Sequence, residues 1–158
     1  MAAHEVKERF LQKEFVPLLS QISSDTLPAW GKMTLQQMIE HFSDSVRIAS
    51  GKTELTEILT PAGNIPRMQE FLASDKPFKE NTLNPLMPEV PVPVRNKSID
   101  LAIAELQEEI DYFFMVFEKN PHQLTRNAFF GDLNYQQNVQ LLYKHAQHHL
   151  RQFGVTVS

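Results

Sequence analysis

The chain of 158 residues contains no cysteine. It therefore forms no disulfide, offers no thiolate to a metal ion and has no cysteine nucleophile. Any metal ion must be held by imidazole, carboxylate or backbone oxygen ligands. A thiol that takes part in a reaction must come from a separate molecule.

Long apolar runs and clusters of basic residues are also absent. No run approaches the roughly 18 apolar residues that span a bilayer, and residues 1–9 lack the apolar segment of a secretory signal. We therefore expect a cytoplasmic protein. The net charge is -4, so we expect neither nucleic acid nor a membrane surface as a partner. A hydrophobic content of 42% and this length fit one domain over residues 1–158.

Apolar residues recur every three or four positions in four segments, which predicts an all-α four-helix bundle. These segments are, approximately, residues 4–23, 34–50, 98–119 and 135–152. Pro17 predicts a kink or a break near Glu14. Helix-capping signals mark the ends of the other three helices, at Thr34 with Gln37, Gly51, Ser98, and Asn134 with Gln137. No strand is predicted except a short run at 90–94, and residues 127–133 are expected to form a hydrophobic turn.

The connection between the second and third helices, residues 52–97, is long and rich in proline. Seven of the ten prolines lie between Pro61 and Pro93, which excludes regular helix over much of it apart from a short helix at 65–73. So long a crossover lets helices two and three run parallel, so that helices two and four can face each other. It is expected either to cover the mouth of a site or to pack as a strap outside the bundle.

Acidic residues of the third helix and one loop histidine are expected to face solvent. We interpret the acidic residues as one solvated face of the helix. These residues are Glu105, Glu108, Glu109 and Asp111. His122 follows the proline that ends this helix and is predicted to lie at the surface.

Three of the six histidines lie at 145, 148 and 149. His145 and His149 are four residues apart, so on a helix they project from one side. His149 falls inside the predicted buried stripe and His145 at its edge. His148 projects about 120° around the helix from Leu142, which lies in that stripe. Buried imidazoles need polar partners, and these are either a metal ion or Gln, Asp or Tyr side chains. His41 flanks the apolar stripe of the second helix, where it is either a packed side chain or a third ligand.

Four stretches of the chain resemble a DinB-like family of unknown function within the DinB/YfiT-like metalloenzyme superfamily. They are WGKMT (30–34), MIEHFSDS (38–45), FFGDL (129–133) and YKHAQHHLRQFG (143–154). The resemblance implies a four-helix bundle in the order up-down-down-up, and a metal ion held by His41, His145 and His149. It also implies a homodimer. Relatives include thiol-dependent transferases and proteins described as hydrolases.

The sequence therefore predicts a divalent-metal enzyme that binds Zn²⁺, or Ni²⁺, Mn²⁺ or Fe²⁺. Three histidine ligands with an open position are typical of catalytic zinc, which activates water or a thiol. The expected partner is a small-molecule substrate, together with a low-molecular-weight thiol in the transferase case. No general base is identified, and Asp44 is a candidate only for orienting the ring of His41; otherwise it is an exposed helix residue. The alternative is a binding or dimerisation module with a structural metal or none.

Overall fold

Helices make up most of the protein, and a short hairpin precedes the last of them. The computed structural model describes residues 2–80 and 90–156. The helices are α1 (Ala3–Arg9), α2 (Phe15–Ser20), α3 (Leu35–Ser50), α4 (Ile65–Ala73), α5 (Ile99–Lys119) and α6 (Tyr135–Gln152), with a π-helical turn at Phe10–Glu14 and a 3-10 turn at Ala62–Asn64. The strands are β1 (Thr125–Asn127) and β2 (Gly131–Leu133). Among the described residues, no helix combines the length and the apolar character that crossing a membrane requires.

The kink predicted near Glu14 takes the form of a π-helical turn that joins α1 to α2. The backbone N–H of Phe15 donates to the carbonyl of Phe10, five residues earlier. Pro17 follows closely, and a proline disturbs hydrogen bonding in the turn before it. The chain thus continues as one bent helical segment instead of breaking.

The capping signals are confirmed at both helices that carry the candidate histidines. Thr34 accepts a hydrogen bond from the N–H of Gln37, and the Gln37 side chain accepts one from the N–H of Thr34. Asn134 and Gln137 form the same reciprocal pair at the start of α6. These caps satisfy backbone donors that a helix start leaves free. They fix where α3 and α6 begin, and therefore which side chains share a face.

The expected hydrophobic turn at 127–133 is instead part of an antiparallel hairpin. Thr125 pairs with Leu133, and Asn127 pairs with Gly131. The Asn127 side-chain oxygen accepts from the N–H groups of Phe129 and Phe130, which shapes the turn. Each strand has only three residues, too few for an alternating pattern to be visible in the sequence. The run at 90–94 forms no strand.

One apolar core joins the helices, and a smaller cluster lies beside it. Phe15, Phe42 and Phe113 are fully buried in the main core, to which α6 also contributes. The smaller cluster packs Leu72 of α4 against Phe130 and Leu133 of the hairpin. Helix α4 therefore lies against the hairpin rather than in the main core.

The expectation that the acids of α5 face solvent is wrong for Glu109. Glu108 and Asp111 are exposed, but Glu109 is 5% exposed. Its carboxylate forms ion pairs with Nε of Arg47 at 2.7 Å and with Nζ of Lys52 at 2.9 Å. Paired charges replace the water that an isolated carboxylate would need, so Glu109 lies against α3. Glu105 is also paired rather than free, with Arg47 and Arg95. His122 is exposed, as predicted.

A buried carboxylate on α3 holds the end of the connection at 52–97. Glu40 is 4% exposed and accepts from the N–H groups of Arg95 and Asn96 and from the side chains of Asn96 and Gln36, at 2.8–3.2 Å. Burial raises the pKa of Glu40, but these hydrogen bonds outweigh it and bring the pKa below its usual value. Other described parts of the connection pack on the hairpin, where Leu59 N–H donates to the carbonyl of Ala128. Residues 81–89 of this connection lie outside the described residues, and the expectation of a strap or a site cover stays a prediction.

We expect Glu40→Ala to lower the free energy of unfolding by about 2–3 kcal/mol, because donors buried against the carboxylate lose their acceptor. The measurement is urea denaturation followed by circular dichroism. Glu108→Ala, on the exposed side of α5, serves as the control and is expected to change stability by less than about 0.5 kcal/mol. Equal effects of the two substitutions would show that the Glu40 hydrogen bonds do not stabilise the fold.

Candidate metal centre

Three histidines from two helices converge on one point in the protein. His41 lies on α3, and His145 and His149 lie one turn apart on α6. One ring nitrogen from each can be chosen so that all three atoms lie within 4.8 Å of one another. The ring centroids of His145 and His149 each lie 5.3 Å from that of His41. The structure thus brings together the three predicted metal ligands.

A hydrogen-bond chain fixes the orientation of His149. Its Nδ1 lies 2.7 Å from Oε1 of Gln152, and Nε2 of Gln152 donates to the carbonyl of Trp30 at 3.0 Å. Because the Trp30 carbonyl only accepts, the amide must present its oxygen to the ring. Nδ1 of His149 therefore carries the proton, and the lone pair lies on Nε2.

The lone pair of His149 faces the second histidine of α6. Nε2 of His149 lies 2.7 Å from Nε2 of His145, so in this arrangement His145 donates and His149 accepts. A metal ion held by both nitrogens requires the His145 proton to lie on Nδ1 instead. The other ring nitrogen of His145 makes that tautomer available.

Burial favours the neutral form of all three imidazoles. His149 is 4% exposed, and His41 and His145 are partly buried. Burial, and next the neighbouring histidine rings, hold the pKa of His145 and that of His149 well below the usual value. Burial also lowers the pKa of His41, although Asp44 acts in the opposite direction. Neutral imidazole is the form that binds a metal ion.

The spacing of the three nitrogens is of the order that one zinc ion requires. Nitrogen atoms bound to a tetrahedral zinc ion lie about 3.3 Å apart, given zinc–nitrogen bonds of about 2.0–2.1 Å. That value falls between the 2.7 Å that separates the His145 and His149 nitrogens and the 4.8 Å that bounds the set. The ring of Phe42 stacks on His145 with centroids 4.8 Å apart, which supports the site from the core side. The residues present therefore suit a nitrogen-bound divalent ion.

Asp44, the candidate for orienting the ring of His41, is an exposed helix residue that pairs with two arginines. Its side chain is 55% exposed and lies 2.9 Å from Arg47 and 3.1 Å from Arg95. Within the described part of the chain, its hydrogen bonds go to these two arginines. Its influence on His41 is a through-space charge effect.

His148 stands beside the site without joining it. Its ring packs against Trp30, Phe78 and His149, with centroids 5.2–6.2 Å apart. Its Nδ1 is buried, with no hydrogen-bond partner within residues 2–80 and 90–156. This position agrees with the helical angles, which predict that His148 projects away from His145 and His149.

Sequence reasoning found the histidines but missed Gln152 and Trp30. Gln152 lies three residues after His149, a spacing at which helical side chains touch, and this signal was available. The link to Trp30 spans 122 positions, and no local pattern indicates it.

Comparison of the chain with family models, with curated proteins and with solved structures gave no match. The DinB-like resemblance therefore stays a prediction.

Proposed function

We propose that this protein is a divalent-metal-dependent enzyme in which His41, His145 and His149 hold one ion of Zn²⁺, Ni²⁺, Mn²⁺ or Fe²⁺. The reaction is hydrolysis of a small molecule or transfer of an external thiol to it. The observation that carries the proposal is the convergence of three histidine nitrogens within 4.8 Å. When bound, such an ion lowers the pKa of water or of a thiol and so supplies a nucleophile near neutral pH.

The charge of the site favours an anionic further ligand. Three neutral imidazoles leave both positive charges of a divalent ion uncompensated. Asp44, the carboxylate whose charge acts on His41, is already paired with Arg47 and Arg95. A half-buried site of this kind stabilises the deprotonated form of water or of a thiol. Because the chain has no cysteine, the thiol in the transferase reaction comes from a separate thiol molecule that acts as the second substrate.

The residues around the ligands hold the site ready for such an ion. Gln152 keeps the proton of His149 on Nδ1, and the Trp30 carbonyl keeps Gln152 in place. Phe42 limits rotation of His145 by stacking on its ring. Ligands restrained in this way lose little side-chain entropy on binding.

We also infer a four-helix bundle in which α1 with α2, α3, α5 and α6 run up, down, down and up. Going along α3, the contacted residues also follow chain order: Glu40 contacts Asn96, just before α5, and Arg47 contacts Glu109 within α5. This order favours parallel helices. The connection at 52–97 is long enough to return along the bundle.

Contacts of α6 fit the same arrangement. Trp30, which precedes α3, contacts Gln152 at the end of α6, and Phe42 further along α3 contacts His145. This reversed order favours antiparallel α3 and α6. The first helical segment and α6 make contacts in the same chain order, at Lys7 of α1 with Gln140 and at Phe10 of the π-helical turn with Tyr143, which favours parallel helices.

The proposed activity is tested with protein loaded separately with each of the four metals. Two assays follow the hydrolysis of chromogenic esters and the conjugation of a small thiol to an aromatic halide. We expect at least one metal form to turn over, to lose activity in a chelator and to regain it when the metal is restored. His41→Ala is expected to abolish the activity, whereas His122→Ala in the exposed loop leaves it intact. Activity that survives both the chelator and His41→Ala would contradict the proposal.

A further inference from the structure

A cavity of about 280 Å³ lies on the side of α6 away from the three histidines. Its walls come from α1, α6 and the segment that follows α4. Residues 143, 144, 147 and 151 of α6 line it, and they occupy the opposite face of the helix from residues 145 and 149. The cavity is therefore separate from the candidate metal centre.

The charge around this cavity is opposite in sign to that of the whole protein. Lys7, Lys76, Lys144 and Arg151 line it, and Asp75 is the one carboxylate among the lining residues that the structure describes. The chain as a whole carries a net charge of -4. Cations gathered around a concave surface focus a positive potential into it. The cavity is thus suited to attract a negatively charged molecule.

Two of the four cations have their charged ends available. Lys144 is 7% exposed and donates to the carbonyls of Phe71, Leu72 and Ser74, at 2.9–3.5 Å, so its protons are already used. The ammonium of Lys76 and the guanidinium of Arg151, by contrast, have no hydrogen bond or ion pair within the residues that the structure describes. Arg151 offers several N–H groups in a plane, which matches the oxygens of phosphate.

Gln147 and Lys7, two residues that line the cavity, carry further donors. Gln147 lines the cavity, and its buried Nε2 finds no partner in the described ranges. A buried donor left without a partner is costly. Lys7 donates to Gln140 at 2.6 Å, which leaves other protons of its ammonium free. An acceptor-rich molecule in the cavity would pair with the remaining protons of Lys7 and with the charged ends of Lys76 and Arg151.

We propose that this cavity binds a small phosphate-bearing molecule, with Arg151 and Lys76 as its principal contacts. The volume accommodates a phosphate group and a short attached portion, but not a macromolecular surface. The site does not depend on the proposed metal chemistry, since its residues and those of the metal centre occupy opposite faces of α6.

The test is titration of the full-length protein with inorganic phosphate at constant ionic strength, followed by amide NMR shifts and by calorimetry. A parallel titration uses glycerol phosphate, which separates a free phosphate site from one for a phosphate monoester. We expect saturable binding, with the shifted amides concentrated at residues 7, 74–77 and 143–151. Arg151→Gln and Lys76→Gln are each expected to weaken binding by about tenfold, the loss of one charge-assisted contact.

Matched controls separate a built site from general charge attraction. Arg67→Gln and Lys97→Gln remove the same charges from exposed positions elsewhere and are expected to change affinity by less than about twofold. Arg151→Lys retains the charge and is expected to retain partial binding. This result would show that Arg151→Gln weakens binding through the lost contact and not through unfolding of the protein. The absence of saturation with either ligand, or equal weakening by the controls, would overturn the proposal. Zn²⁺ affinity is expected to be unchanged in Lys76→Gln, so failure here leaves the metal centre standing.

Discussion

Replacing His41, His145 or His149 with alanine is expected to reduce the affinity for Zn²⁺ by more than about 100-fold. Loss of a hydrogen bond to a ligand costs about 10–100-fold in metal affinity, and loss of the ligand itself costs more. The three nitrogens lie within 4.8 Å of one another, so each is expected to contribute to one ion. The effect of the three substitutions should therefore be similar in kind.

The measurement is competition between the protein and a chromogenic chelator, with protein purified without a histidine tag. His122→Ala is the matched control, because His122 is exposed and lies in a loop outside the cluster. We expect that control to bind as the parent does. Elemental analysis of the parent should also give one transition metal per chain. Parent protein with no stoichiometric metal and no affinity for added Zn²⁺ or Ni²⁺ would contradict the expectation.

The same variants distinguish a catalytic ion from a structural one. An ion that binds only the folded protein raises its stability according to concentration and affinity. In one outcome, the alanine variants lose the ion yet melt at the same temperature as the metal-free parent. That result would favour a catalytic or ligand-binding role of the histidines over a role in stabilising the fold. If the metal-loaded parent melts far above the variants and shows no turnover, the structural alternative is favoured.

Local sequence signals account for the helices well, because capping and periodicity act over a few residues. The starts of α3 and α6 were predictable from Thr34 with Gln37 and from Asn134 with Gln137. The pair His145 and His149 was predictable for the same reason, since a four-residue spacing fixes their common direction.

Contacts between distant segments were not predictable in this way. Glu109 looked like a solvated acid because Arg47, its partner, is 62 positions away. Glu40 is buried against the backbone of residues 95 and 96, and nothing in its own helix indicates this. The hairpin escaped prediction because its three-residue strands carry no period. Glu40 and Glu109 were thus missed because their partners are distant in sequence, whereas the strands of the hairpin are close in sequence but too short to show a pattern.

Gln152→Met is expected to lower metal affinity by about 10–100-fold without removing a ligand. Gln152 holds the proton of His149 on Nδ1, and therefore the lone pair on Nε2. Methionine has a similar length and no comparable acceptor, so the ring is free to rotate and to change tautomer. The Trp30 carbonyl also loses its donor, so a moderate loss of thermal stability should accompany the weaker binding.

Gln152→Glu separates these two consequences. A carboxylate still accepts from Nδ1 of His149 but donates nothing to the Trp30 carbonyl. Metal affinity is therefore expected to recover relative to Gln152→Met, while the loss of stability remains. Gln136→Met, at an exposed position of the same helix, is the control and is expected to change neither quantity. If Gln152→Met and Gln152→Glu weaken Zn²⁺ binding equally, the side chain acts by packing alone and does not set the tautomer of His149.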